Sequence, residues 1–185
     1  MRTVRATREA TVRIVAAAML SVVMLACEAG PPPPTPPVAA GSSAQPREVN
    51  IIAKDYEFLP GVVDLVPGET VLLHVINGGL ALHEVVIGDQ RVQDAWEVAE
   101  AATIGAPPGP TPLVSVPPDV AGLRIVVESG ERVDLVWTVP SDANRAAAGP
   151  WVVGCHIPGH WARGMLAPIR WPGAPVADPA ASPAS

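Results

Sequence analysis

Cysteine is scarce in this chain: only Cys27 and Cys155 occur among its 185 residues. Two cysteines allow at most one disulfide, so a small fold stapled by several bridges is excluded. Cys27 ends an apolar N-terminal run, and Cys155 stands among other metal-ligating residue types. Because the local sequence around each cysteine explains it better than pairing with the other cysteine would, we predict that they form no disulfide.

Positive charge is also scarce. Residues 1–26 hold four of the 12 basic residues and one of the 18 acidic residues, so 8 basic and 17 acidic residues remain beyond them. A net charge of about −9 in that part argues against nucleic acid and against adhesion to anionic lipid headgroups. We expect no nucleic-acid partner, whereas docking to basic patches on other proteins is compatible with this charge.

The N-terminal apolar run is too short for a comfortable permanent membrane span. Residues 14–26 form an uncharged run of 13 residues, whereas a spanning helix needs about 20. Four arginines precede it: Arg2, Arg5, Arg8 and Arg13. This pattern predicts an export signal over residues 1–26.

The end of that run, Met24-Leu25-Ala26-Cys27, resembles the lipobox of bacterial lipoproteins, in which the signal is cut before the cysteine and the sulfur is acylated. The resemblance implies lipidation of Cys27 and a lipid-anchored protein on the periplasmic or extracellular face of the cell membrane. An ordinary signal peptide and an uncleaved N-terminal anchor are the alternatives.

Proline-rich segments bracket the rest of the chain. Residues 27–48 include four consecutive prolines at 31–34, and residues 172–185 are small and proline-rich. Such sequences favour extended or disordered chain and cannot bury a core. We predict a linker over 27–48, a disordered tail over 172–185 and a single domain over 49–171, which is long enough for one core.

Within that domain the pattern predicts short β-strands separated by turn signals. The predicted strands are 49–53, 61–66, 70–76, 82–87, 122–128, 132–139, 149–155 and 165–171. Such a series indicates an all-β fold, a Greek-key β-sandwich. Residues 88–118 do not fit it: Val92, Trp96 and Ala99 share a helical face, and a proline-rich loop follows. We interpret 88–118 as an insertion that covers an edge of the sandwich, or else as a lid that docks a partner or covers the site.

The segment CHIPGHWARGM carries the chemistry. Cys155, His160 and Met165 follow a C-x4-H-x4-M spacing, and His83 is the nearest other histidine that could join them. One thiolate, two imidazoles and a weak axial thioether are the ligands of a mononuclear blue-copper site. Met165 is the only methionine beyond the signal segment, and thioether sulfur suits copper better than zinc.

Two other chemistries use some of the same residue types. A structural zinc site needs four N or S ligands, which Cys155, His83, His156 and His160 could supply in number. Neighbours on an extended segment point to opposite sides, however, so we expect His156 to face away from the ion that Cys155 binds. A Cys–His hydrolase would need an activating base and an oxyanion hole, and no motif here marks either.

At this point the sequence resembles the cupredoxins, the type 1 (blue) copper family. The motif Cys-x-x-Pro-Gly-His with the C-x4-H-x4-M spacing is closest to the rusticyanin and sulfocyanin branch. The segments DYEFLP, PGETVLLHVINGG and LHEVVIG follow the family's order of strands. The resemblance implies a cupredoxin domain over 49–171, with 88–118 outside it. It implies one copper ion held by His83, Cys155 and His160 in a plane, with Met165 as the axial ligand.

Larger copper centres are excluded. Multicopper oxidases need histidines on both sides of the cysteine and further His-x-His pairs, but Gly154 precedes Cys155 and the chain has four histidines in all. The dinuclear centre of terminal oxidases needs two cysteines in the loop. A mononuclear centre remains.

The resemblance implies a one-electron carrier and not an enzyme, with cytochromes, oxidases or other redox proteins as partners. Electrons would leave through His160 at an apolar patch, formed by Leu80, Ala81, Pro158, Gly159 and Trp161. The residue after the first histidine is often Asn in the family, where it ties the ligand strands together; here it is Glu84, which leaves that tether open. The alternative functions are copper trafficking, tolerance or oxidase assembly, and an interaction module that has lost its metal.

Overall fold

The computed structural model describes residues 38–105, 114–144 and 149–172. Within these residues, nine strands form two sheets: β1 Arg47–Lys54, β2 Glu57–Leu59, β3 Val63–Asp64, β4 Thr70–Asn77, β5 His83–Gly88, β6 Leu123–Val127, β7 Arg132–Thr138, β8 Val152–Gly154 and β9 Leu166–Arg170. In the same part of the chain, helix α1 spans Gln90–Ala101, and short 3-10 helices span Pro118–Val120 and Trp161–Arg163. Across these described residues, no helix has both the length and the apolar character needed to cross a bilayer.

The first sheet has the strand order β2-β1-β4-β7. β1 and β4 are parallel, and Arg47 lies opposite Val71 in their register, whereas β7 pairs antiparallel with β4. The second sheet has the order β3-β9-β8-β5-β6. Apolar side chains of both inner faces form one core, with Ile51, Leu73 and Ile87 among its fully buried members. This sandwich with helix α1 confirms the predicted fold class.

Strand β5 is buried along its whole length, because the core covers one face and α1 covers the other. Side chains alternate along a strand, so Val85 lies in the main core while Val86 packs against Val92 and Trp96 of α1. The helix begins at Asp89, whose side chain caps the N–H of Val92. The helix predicted within 88–118 is therefore a cover for the outer face of the second sheet.

Two local expectations differ from the structure. No strand is predicted between 49–53 and 61–66, but there the DYEFLP segment forms a hairpin in which Tyr56, with φ of 76°, connects β1 to β2. The predicted strand 61–66 is confined to Val63–Asp64, where it pairs with β9. Sheet pairing over so few residues depends on the partner strand, which local composition does not reveal.

The ordered domain begins before residue 49. Gly41 accepts a hydrogen bond from the N–H of Thr70, and Arg47 bonds the Glu69 carboxylate. Residues 1–37, 106–113, 145–148 and 173–185 lie outside the described residues. They include the predicted signal peptide 1–26, Cys27, the proline-rich part of the predicted linker and nearly all of the predicted tail.

Candidate metal centre

In the core, His83 meets Cys155 and His160, which lie more than 70 positions later in the sequence. The ligand atoms of His83, Cys155 and His160 all lie within 4.8 Å of one another, and all three residues are buried. Nδ1 of His83 is 3.2 Å from Nδ1 of His160, and Cys155 Sγ is 3.9 Å and 3.3 Å from these two atoms. In the part of the chain that the structure describes, this is the one cluster of His, Cys, Asp or Glu that could hold a metal ion.

These separations suit a shared metal ion. Donors bound at about 2.0–2.3 Å in a trigonal plane lie roughly 3.5 Å from each other, which is close to the three distances observed. Two imidazole nitrogens and one sulfur are borderline-to-soft donors, the set that copper takes in trigonal His2Cys sites. The residues present therefore fit a single copper ion.

Cys155 follows β8 and carries a free, buried thiol. Its backbone N–H donates to Met165 O at 3.2 Å, which closes the loop between β8 and β9, and its Sγ accepts from the N–H of Glu84 at 3.5 Å. Burial raises the pKa of the Cys155 thiol to about 12, although the N–H groups of Glu84 and Ile157 oppose the rise. The thiolate needs a cation beside it to form near neutral pH.

His83 opens β5 and is oriented by Asp55. Its Nε2 lies 3.1 Å from Asp55 Oδ1, so a proton on Nε2 leaves the Nδ1 lone pair free for a metal ion. Hydrogen bonds from the N–H groups of Ala81 and Leu80, and from His83, lower the pKa of Asp55. Gly79 lets these groups approach, since a Cβ there would come 2.5 Å from Asp55 Oδ1.

His160 lies at the start of the 3-10 helix Trp161–Arg163 within the loop from β8 to β9. Its N–H donates to Ile157 O at 2.9 Å, and its carbonyl accepts from Met165 N at 3.2 Å. Gly164, with φ of 82°, ends the 3-10 helix in a left-handed conformation that favours glycine. Burial lowers the pKa of His160, and the neighbouring His83 and Arg163 side chains lower it further, which keeps the ring neutral and able to bind a metal ion.

Met165 is fully buried and is joined to both Cys155 and His160 by backbone hydrogen bonds. The loop thus holds the three predicted donors of CHIPGHWARGM in one closed turn. The axial role of its thioether remains a prediction.

The other two histidines lie elsewhere. The ring of His156 contacts Gln93, Glu97 and Trp161 under α1, on the side of the strand away from Cys155, as strand alternation predicts. His74, on β4, has Nδ1 2.8 Å from Asp134 Oδ1. Neither residue is part of the donor cluster.

The residues of the predicted apolar patch vary in exposure. Leu80 is 89% exposed, Pro158 and Gly159 are exposed, and Ala81 is half-buried. The Trp161 ring stacks on His156 with centroids 4.7 Å apart. The ring that meets His160 edge-on is Tyr56, with centroids 5.1 Å apart.

Sequence reasoning missed Asp55, Tyr56 and Gln93. DYEFLP was noted only as part of the strand order, and nothing in it indicated that Asp55 meets a histidine 28 positions later. The helical face was identified from apolar residues, whereas Gln93 is polar and yet fully buried. The position of Gln93 next to Val92, on the apolar face of α1, was the signal in the sequence that could have indicated its burial.

No protein-family model matches the chain, but it resembles a curated protein in sequence and several solved structures in fold. The chain is 25% identical over 146 residues to the copper-resistant cuproprotein CopI of Pseudomonas aeruginosa, an alignment that covers 69% of this chain and 77% of that protein.

Solved structures resemble the chain at lower identity. Auracyanin B superposes with a TM-score of 0.52 at 20% identity, covering 75% of this chain and 95% of that one. Reduced auracyanin from the photosynthetic bacterium Roseiflexus castenholzii has a TM-score of 0.49 at 19% identity, covering 71% and 98%. The likeness to auracyanin B is a likeness of fold.

Proposed function

We propose that this chain, which has the cupredoxin fold, holds one copper ion at His83, Cys155 and His160 and carries one electron at a time between larger redox proteins. The observation that carries the proposal is the buried cluster of one sulfur and two imidazole nitrogens. Bound copper would supply a one-electron couple at this donor set, which lies between the preferences of Cu(I) and Cu(II).

The chain's own residues favour a rigid, closed centre. Asp55 holds the His83 ring, backbone hydrogen bonds close the loop that carries Cys155 and His160, and Met165 is proposed as the weak axial donor. His83, Cys155 and Met165 have no exposed surface, and His160 is 5% exposed. A substrate has no route to the donors through such a shell, so we propose a carrier and not an enzyme.

Electron transfer to a partner needs one donor near the surface. We propose that His160 serves this purpose and that partners dock on the apolar patch of Leu80, Ala81, Pro158, Gly159 and Trp161. The exposure of Leu80 supports this, because apolar side chains on a soluble surface mark docking sites when they cluster. Redox partner proteins such as cytochromes or oxidases are the proposed occupants.

The proposed location follows from the N-terminal sequence. Residues 1–26 have the features of an export signal and Cys27 stands at a lipobox-like processing site. We propose that the protein is exported and anchored to the outer face of the cell membrane by a lipid on Cys27, with the part of residues 27–48 that precedes Gly41 as the spacer.

Copper tolerance is the second candidate function. The relative CopI is named a copper-resistant cuproprotein, and that name favours a role in binding or delivering copper. A closed donor set with few thioethers is less suited to exchanging metal than an open Met- or His-rich site, so the carrier is preferred.

One experiment separates the two functions. The protein is loaded with Cu(II), and its visible spectrum, reversible redox titration and rate of copper loss to a chelator are measured. An intense thiolate-to-copper band, reversible one-electron behaviour and slow loss support the carrier. Weakly coloured copper that a chelator removes readily would overturn it in favour of tolerance or trafficking.

A further inference from the structure

The buried side of α1 carries an amide that ties two strands together. Gln93 is fully buried, and its Nε2 lies 3.3 Å from the carbonyl oxygens of Val86, Gly88 and Val152. These acceptors belong to β5 and to β8. Because the nitrogen end of the amide faces three carbonyls, the oxygen end must face the other way, toward His156.

The ring of His156 is held on three sides. Its Nε2 donates to Gln93 Oε1 at 2.8 Å, its Nδ1 lies 2.9 Å from Glu97 Oε2, and Trp161 stacks on its face with ring planes inclined by 27°. Gly154 makes room for this arrangement, since a Cβ there would collide with Gln93 Oε1 and lie 2.8 Å from Trp161.

The backbone of the same residue is held by a second connection from α1. Glu100 Oε1 accepts from Arg124 at 2.7 Å, and Arg124 also donates to Glu84 Oε2 at 2.6 Å. The other oxygen of Glu84 accepts from the N–H of His156 at 3.0 Å. Helix α1 therefore reaches residue 156 twice, through the ring by Gln93 and Glu97, and through the peptide by Glu100.

Residue 156 directly follows the predicted metal ligand Cys155. Consecutive Cα atoms are a fixed 3.8 Å apart and the peptide between them is planar, so a fixed residue 156 restricts where the Cys155 sulfur can point. We propose that α1 is a positioning element of the metal centre, with Gln93 and Glu97 as its positioning residues. The inference rests on the proposed copper site.

Coupling of this kind is reciprocal. If α1 improves copper binding by holding residue 156, then bound copper must stabilise α1 by the same factor. The amides of α1 should exchange with solvent deuterium more slowly in the copper-loaded protein than in the metal-free protein. Other partners held around a metal site change its affinity by about 10–100-fold when removed, and we expect an effect near the lower end.

The test compares Gln93→Leu with Gln90→Leu, the same substitution on the same helix at an exposed position whose side chain bonds only Asp94 among the contacts described. Gln93→Leu is expected to release copper to a chelator about tenfold faster, to shift the thiolate-to-copper band, and to speed deuterium exchange at residues 155–156 of the metal-free protein. Gln90→Leu should match wild type in all three.

Glu97 supplies a variant that folds even if Gln93→Leu does not, since its side chain is 44% exposed. Glu97→Ala should speed copper release and exchange at residue 156, whereas Glu97→Gln, which retains a polar contact to the ring, should remain near wild type. This inference alone would be overturned if wild type binds copper normally and the variants Gln93→Leu and Glu97→Ala behave like Gln90→Leu. Wild type that takes up no copper would overturn the proposed function, and this inference with it.

Discussion

Glu84 accepts a hydrogen bond from the backbone N–H of His156 at 3.0 Å, while its own N–H points at Cys155 Sγ from 3.5 Å. Glu84 follows the candidate ligand His83, and His156 follows the candidate ligand Cys155, so this hydrogen bond joins the two ligand strands. The sequence left this tether open because Glu stands where the cupredoxins that it resembles often have Asn. The structure shows that the longer acid makes the connection and also reaches Arg124.

The Glu84–Arg124 pair should dominate the stability of the sheet beneath α1. Burial raises the pKa of Glu84, and Arg124 opposes that rise. Arg124→Leu would leave a fully buried carboxylate without its cation, which costs about 3–5 kcal/mol in such sites. Denaturant unfolding of the metal-free protein measures this, and adding Glu84→Gln to Arg124→Leu should recover part of the loss.

The control for Arg124 is Arg170→Leu, which removes a half-exposed ion pair with Asp64. Pairs of this kind contribute about 1 kcal/mol or less. An Arg124→Leu protein no less stable than Arg170→Leu would contradict the assignment of a buried ionic network.

Asp55 should control how firmly His83 binds metal. Asp55→Ala removes the acceptor at 3.1 Å from Nε2, so the ring loses its fixed orientation and copper should dissociate at least about tenfold faster. Asp55→Asn retains an acceptor oxygen and should lie between this variant and wild type. Glu57→Ala, an exposed change on the neighbouring strand β2, serves as control, and equal release rates for Asp55→Ala and Glu57→Ala would count against the proposed role.

Cys155 should be an unreactive thiol until metal binds. With a pKa of about 12 in the fold, above its value of about 8.5 in the unfolded chain, the group retains its proton when the unfolded chain has lost it. Stability of the metal-free protein should therefore fall as the pH rises from about 9 to about 12. Cys155→Ser should lack this fall and the thiolate-to-copper band, which unfolding curves and visible spectra measure.

Glu69 should make the protein sensitive to acid. Burial raises the pKa of its carboxyl, but the hydrogen bond from Arg47 and those from the N–H groups of Val66 and Gly41 outweigh burial and lower it below 4.5. A lowered folded-state pKa gives stability that is present above the unfolded value and is lost as the pH falls through the folded value. Glu69→Gln should cost about 2 kcal/mol near neutral pH.

That cost should shrink in acid. Denaturant unfolding of both proteins from about pH 7 to about pH 3 is expected to show the two curves approaching each other as wild type loses the contribution of the ionised carboxylate. A constant difference across this range would show that the Glu69 charge is not what the variant removes.

Leu80 tests the proposed docking patch. Leu80→Asp places a charge on the exposed tip next to the centre, so electron self-exchange between two copies should slow by roughly tenfold or more through like-charge repulsion and lost apolar contact. The copper spectrum should not change, because Leu80 bonds the metal-site residues only through its backbone N–H to Asp55. Val136 lies on β7 of the first sheet and is 59% exposed. The control variant Val136→Asp should exchange electrons as wild type does.

The sequence alone revealed the parts of the site that are encoded locally. Cys155, His160 and Met165 could be recognised because a short loop carries all three, and the opposite directions of Cys155 and His156 follow from the two-residue period of an extended chain. Strands β4 and β5 were predicted to within one residue at each end, since their apolar runs are bounded by turn signals. The hairpin at Tyr56 was not predicted, because its pairing depends on contacts and not on composition.

What the sequence determined by itself was the identity and order of the candidate donors, together with the fold class that brings His83 to Cys155. What only the tertiary structure decided was how those donors are held: Asp55 on His83, Glu84 on His156, and α1 over both strands. The Asp55–His83, Gln93–His156 and Glu84–His156 partners lie 28, 63 and 72 positions apart along the chain. Hydrogen bonds over such separations leave no spacing to recognise, since they exist only once the two sheets and the helix have packed.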